Sequence, residues 1–346
     1  MRNGKQLTET QVAVAAMLVP LFFVAAFAAC IIGSYHKPHP NHIKVGVVGP
    51  AAQTAPLRAG LAKSAGSDFA ISEVPTVAQA THDVRQRDLD AAYVPAANPK
   101  QPATVVVASA GGRIVAVAAE TLARSAAAAQ GEPLVVRETR ALADGDELGL
   151  GIFMFMIVCT ICGYITPTIL ETLTPALEPA RRYTIMAVTA LLVPTIACLI
   201  GGLAYGTYKG SLGTILAFIG VGALYVFTIG LGTRLLQVVL GPPAIFASLA
   251  IFVFLNIASL GATYTTPVMA PFWRFLHHFW FGALAVNAER GILYFGGLDV
   301  GTAVLGLLAW SVIIAALLVL PVSRRLERRR EHAFDAVTAE PARATA

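Results

Sequence analysis

Charge is what this sequence has least of. Asp, Glu, Lys and Arg make up 13% of its 346 residues, where a soluble chain of this size carries about 25%. With 56% hydrophobic residues and a mean hydropathy of +0.68, the chain cannot be solvated by water alone, and much of it faces lipid. Cysteine is also scarce. Cys30, Cys159, Cys162 and Cys198 all lie in apolar runs, and the polar stretch 34–147 has none. That excludes a disulfide framework for the stretch in any compartment. The spacing in "CTIC" (159–162) is that of a redox motif without thioredoxin-like surroundings, and it reads as small apolar residues on a helix face. A phosphate loop is missing too. "GLAKS" (60–64) lacks the glycine before Lys63 that a GxxxxGK[ST] cradle needs, so ATP hydrolysis by this chain is not expected. No Ser/His/Asp set can be assembled. No cofactor is expected.

Long apolar runs are plentiful. Crossing the hydrocarbon core takes about 20 apolar residues, and six stretches qualify: about 11–33, 148–170, 183–207, 211–236, 242–262 and 300–322. The first is too long for a signal-peptide core and is followed by a poor cleavage site, so it reads as an uncleaved anchor. Arg2, Lys5, Arg181, Arg182, Arg234, Arg324, Arg325, Arg328, Arg329 and Arg330 then fall on one side of the membrane. Basic short loops stay in the cytoplasm, which places both termini inside. The expected fold is a polytopic α-helical membrane protein of six transmembrane helices, with a small α/β extracytoplasmic domain inserted after the first. Its parts are an N-tail and first helix (1–33), the α/β domain (34–147), a five-helix transmembrane domain (148–322) and a basic cytoplasmic tail (323–346). The expected location is the cell membrane. The tail "RRLERRRE" fits topology and anionic lipid better than nucleic acid, so membrane lipid is an expected partner and nucleic acid is not.

Region 34–147 balances 11 Lys/Arg against 11 Asp/Glu. It alternates strand-like runs (42–49, 69–75, 89–95, 103–109, 132–139) with helical ones, including a Thr-capped stretch from Thr76 and a long helix over 113–131. Such alternation predicts a small sheet covered by helices. Asp88 and Asp90 read as turn residues rather than a catalytic or cation-binding pair. "DGDE" (144–147) reads as a helix cap rather than a calcium site. His36, His39 and His42 sit in a Pro-containing linker that fixes no metal geometry.

Gly202, Gly206 and Gly210 recur every four residues, which predicts a small-residue face for close helix packing. Pro167 and Pro194 interrupt apolar runs, where they invite kinks. The segment "PFWRFLHHFWFGALAVNAERGILYFGG" (271–297) is aromatic yet too polar to span. On a helix it places Trp273, Leu276 and Trp280 on one face and Arg274, His277 and His278 on another. This predicts an extracytoplasmic amphipathic cap over about 266–297, shaping an exit mouth. His277 and His278 read as solvated residues rather than a pH sensor or metal site. A membrane enzyme would need converging acids and histidines, and only His277, His278 and Glu289 are close in sequence, so the chain is not expected to be an enzyme.

The topology resembles the ABC transporter type-2 permease family, especially its YhgE/Pip-like branch. "IKVGVVG", "DVRQRDLDAAYVPA" and "PVMAPFWRFLHHFWFGALAVNAERGILYFGG" carry the resemblance, which covers nearly the whole chain. The outer region is shorter than in some relatives, and "GPAAQ" replaces the Asn/Asp-Gly that often follows the first strand. The resemblance implies the permease subunit of an ABC-type exporter, moving an amphiphilic or lipid-like substrate outward. It implies pairing with a second copy or a related permease and with a separate cytoplasmic ATPase subunit. It places the coupling contacts in loop 171–184, on Glu178, Arg181 and Arg182. The alternative is a membrane scaffold or receptor that transports nothing, phage-receptor-like or a secretion accessory protein.

Overall fold

A computed structural model describes residues 9–38, 40–98, 101–241 and 243–320. Arg2, Lys5, His39, Arg324, Arg325, Arg328, Arg329 and Arg330 lie outside the described residues. The described chain is mostly helical and carries one five-stranded sheet. Helix α1 (9–35) leads into β1 (Ile43–Val48), α2 (Ala51–Ala65), β2 (Phe69–Val74), α3 (Val77–Arg85), β3 (Ala91–Val94), β4 (Ala103–Val107), α4 (Arg113–Ala129) and β5 (Leu134–Glu138). Then come α5 (Gly151–Leu173), α6 (Pro179–Ala204), α7 (Leu212–Leu240), α8 (Ala244–Ser259), α9 (Pro271–His277), α10 (Phe281–Tyr294) and α11 (Val300–Val319).

The sheet order is β2-β1-β3-β4-β5. All neighbours are parallel except β3 and β4, which pair antiparallel. Period-two alternation sorts its two faces. Ile43, Val45, Val47, Ala91, Tyr93, Val105 and Val107 pack under α2 and α4, around Leu61, Val115 and Ala119. Ala92, Val106 and Ala108 pack on the opposite face with Ala80 and Val84 of α3. Thr76 caps α3 by accepting from the Gln79 N–H at 3.1 Å.

Among the described residues, four helices, α5, α6, α7 and α11, are long and apolar enough to cross a membrane. The other two apolar runs give shorter apolar helices. Run 242–262 folds only over Ala244–Ser259, about 24 Å at 1.5 Å per residue against a hydrocarbon core of about 30 Å. The missing turns are spent on a loop that carries the chain to the sheet: Tyr264 and Val268 enter the core beneath α4. The first run is apolar over the described Pro20–Tyr35.

Contacts along the helices set their directions. Glu171, near the end of α5, pairs with Arg182 at the start of α6 and Arg234 near the end of α7. The other end of α5 meets the α6–α7 connection, where the Tyr208 hydroxyl donates to the Gly151 carbonyl at 2.8 Å. Helix α1 runs beside α8 in the same direction, with Phe22 on Phe246 and Ser34 donating to the Ala258 carbonyl at 2.8 Å. The bundle therefore has a sheet end and a basic end, separated by α5, about 34 Å at 1.5 Å per residue over its 23 residues.

Glycines create the closest helix contacts, at other positions than the expected stripe. Regular helix ends at Ala204, so Gly202 is its only member within a helix. Gly206 turns the chain at φ +65°, and Gly210 lies in the connection before α7. A small-residue face needs an unbroken helix, and here none exists. The close approaches fall on α5 and α7 instead. A Cβ on Gly163 would stand 3.0 Å from the Val226 carbonyl oxygen, and one on Gly222 2.8 Å from Phe155 and Pro194.

Candidate functional site: the two ends of the helical bundle

At the basic end, the α5–α6 connection is held from beneath. The Arg182 side chain is only 3% exposed; it pairs with Glu171 and donates to the Thr174 and Pro175 carbonyls at 3.3 and 3.1 Å. Arg234 reaches the same Glu171 oxygen at 2.7 Å. Gln237 donates to the Pro167 carbonyl at 3.2 Å. A carboxylate bridging two guanidinium groups fixes the ends of three helices together. Of the three residues expected on a coupling surface, Arg182 is thus spent inside the fold. Glu178 and Arg181 are exposed and lie 3.8 Å apart as an i,i+3 pair.

At the sheet end, the expected cap is a re-entrant hairpin. Helix α10 runs antiparallel to α11: Gly291 lies against Leu298 and Val300, and Gly306 against Leu284. Trp280, at the turn between α9 and α10, meets Trp310 at 6.0 Å between ring centroids, and the Trp310 indole donates to the Phe279 carbonyl at 2.8 Å. Trp310 is ten residues beyond the start of α11, so the turn lies about 15 Å down the bundle. The segment dips into the bundle because Phe281, Ala285 and Val286 are needed in its apolar core.

The expected faces are redistributed accordingly. Trp273 and Leu276 are buried with Met269 and Ala258, and Trp280 packs against them. His277 is buried as well, its Nδ1 paired with the Ser259 carbonyl at 3.0 Å, while His278 is exposed. The two histidines point to different surroundings and do not form a pair. Arg274 donates to the Thr266 and Met269 carbonyls at 3.2 and 2.8 Å and so closes the loop before α9. Glu289 makes no bond to either histidine among the described residues.

The hairpin joins the bundle to the sheet. After α10 the chain turns at Gly296 (φ +62°) and Gly297 (φ +94°), conformations open to glycine. This turn drives Phe295 into the sheet core beside Val74, Val84 and Ala110. Arg87 covers the Phe295 ring at 5.5 Å. Burial holds the Arg87 guanidinium below its usual range, against the opposing pull of Asp299 and Asp90.

Three of the remaining sequence candidates, Asp90, Asp146 and Asp144, bond within the fold. The Asp90 carboxylate accepts from the Lys44 N–H at 2.8 Å, and burial holds it above the usual carboxylate range. Asp146 accepts from the N–H groups of Leu150 and Gly151 at 2.7 and 2.8 Å, capping α5, and burial raises it despite those donors. Asp144 pairs with Lys209 at 2.9 Å, which lowers it. Cys159 and Cys162 are free thiols on α5. No group of three or more His, Cys, Asp or Glu placed to hold a metal occurs among the described residues.

Sequence reasoning missed a buried polar cluster in the bundle. Thr160 and Tyr225 share a hydrogen bond of 2.6 Å, and the Asn256 amide donates to the Tyr225 hydroxyl at 2.5 Å. Thr228 and Ser311 share another of 2.6 Å. The only hint was a polar letter in each of several apolar runs. No family model, curated protein or solved structure matches the chain.

Proposed function

We propose that this chain is the membrane permease subunit of an ABC-type exporter, moving an amphiphilic or lipid-like substrate outward with energy from a separate cytoplasmic ATPase subunit. One observation carries the reading. The α5–α6 loop is locked by Glu171, Arg182 and Arg234, yet leaves Glu178 and Arg181 exposed at the basic end. A rigid, charged loop at the end of a helical bundle is what a force-transmitting contact needs. The helix directions support six crossings, because α1 and α8 also run from the basic end toward the sheet end. With arginines cytoplasmic, the α/β unit is extracytoplasmic and the protein multi-pass in the cell membrane. A second permease copy or relative completes the transporter.

The test is pulldown in mild detergent. The wild-type chain should recover an ATPase subunit, and the double variant Glu178→Ala, Arg181→Ala should lose it while inserting normally. Undiminished recovery by that variant counts against the coupling loop, and no recovery by the wild type counts against the exporter. One observation favours a second reading, a receptor or scaffold that transports nothing. Strand β5 lies at the sheet edge with Val135 and Val136 exposed, an arrangement that invites a partner strand.

A further inference from the structure

Glu289 of α10 is 0% exposed. Among the described residues, neither of its carboxyl oxygens has a hydrogen-bond partner. Among the same residues no ion pair includes it. Arg290 follows it directly, but its guanidinium donates to the Gly261 and Ala262 carbonyls at 3.1 and 2.7 Å. The neighbours Ala285 and Ala288 of α10 belong to one apolar cluster with Phe155, Met156 and Cys159 of α5.

The titratable groups around it are few. Cys159 of α5 and Cys198 of α6 interact with it electrostatically. Helix α7 contributes Tyr225, held by Thr160 and Asn256. Tyr208, in the α6–α7 connection, interacts with both of these cysteines, and its hydroxyl donates to the Gly151 carbonyl. The helix of Glu289 itself adds Arg290 and Tyr294, and neither α8 nor α11 carries a titratable side chain.

An ionised carboxylate in this place has no cation or hydrogen-bond donor among the described residues to offset its lost hydration. A metal cation would need several further ligands, and no group of three or more His, Cys, Asp or Glu is placed to supply them among the described residues. A proton needs none. Ionisable groups kept inside a membrane bundle are characteristic of proton pathways. We infer that Glu289 is a proton-binding site inside the bundle, and that parting α10 from α5 admits water and releases the proton. A carboxyl reached by water ionises near pH 4.3, so at neutral pH each opening sheds one proton toward whichever side the bundle opens. The inference does not rest on an ATPase partner, and the two readings fail separately.

Infrared spectroscopy of the full chain in lipid bilayers at pH 7 tests it. The wild type should show the C=O band of a protonated carboxyl, which disappears in Glu289→Gln and moves in Glu289→Asp. No such band in the wild type, or one unchanged in Glu289→Gln, overturns the proposal. Thermal unfolding gives a second readout. The folded state holds a proton that the unfolded state has shed, so the wild-type midpoint should fall as pH rises from about 5 to 8. Glu289→Gln should remove that part of the fall, and equal pH slopes in the two proteins would also overturn the inference.

Discussion

Glu171 is the residue on which the basic end depends. It is one-third exposed, whereas the two guanidinium groups it bridges are buried. Glu171→Ala leaves both cations without their shared anion. Removing one partner of a fully buried pair costs about 3–5 kcal/mol; partial exposure of the carboxylate lowers the expectation to about 2 kcal/mol. The unfolding midpoint in detergent should drop accordingly, while Arg181→Ala, which removes only an exposed i,i+3 pair, should leave it unchanged. Arg181 and Arg182 read alike in sequence as topology anchors. They differ because a helix turns about 100° per residue, so one faces the bundle and its neighbour faces out.

At the scale of elements, the packing of α5 against α7 rests on glycine. Gly222→Leu has no room beside Phe155 and Pro194 and should cost about 2 kcal/mol through overpacking. Gly220→Leu, two residues away with nothing within 4 Å of its added Cβ, should leave the unfolding midpoint unchanged. Elements bounded by caps and turns were the most legible. Each of the five strands falls inside a stretch whose alternation and flanking turn residues marked it, and Thr76 and Asp146 act as caps. Spacing alone misled for Gly202, Gly206 and Gly210, because periodicity carries meaning only while the helix continues. The hairpin's depth was not legible either. Its polar letters suggested a surface, but Arg274, His277 and Arg290 bond to loop and helix-end carbonyls inside the fold, so the segment can sink beside α11.

For the whole molecule, Phe295 is the joint between sheet and bundle. Phe295→Ala empties a site in the second sheet core and removes the ring beneath Arg87, at a cost of about 3 kcal/mol. Faster amide exchange in α3 and β1, with α5 and α7 unchanged, is the expected result; uniform exchange throughout the chain would show that the joint lies elsewhere. The proposed transport requires the sheet end and the basic end to face opposite sides of a membrane. Gly60 on α2 and Arg181 on α6 are both exposed, so each can report its side. The direct measurement is labelling of single cysteines at positions 60 and 181, in a background lacking Cys30, Cys159, Cys162 and Cys198, with a membrane-impermeant thiol reagent on sealed cells. Position 60 should react in intact cells and position 181 only after the membrane is opened. Reaction of both in intact cells, or of position 181 alone, would contradict the account.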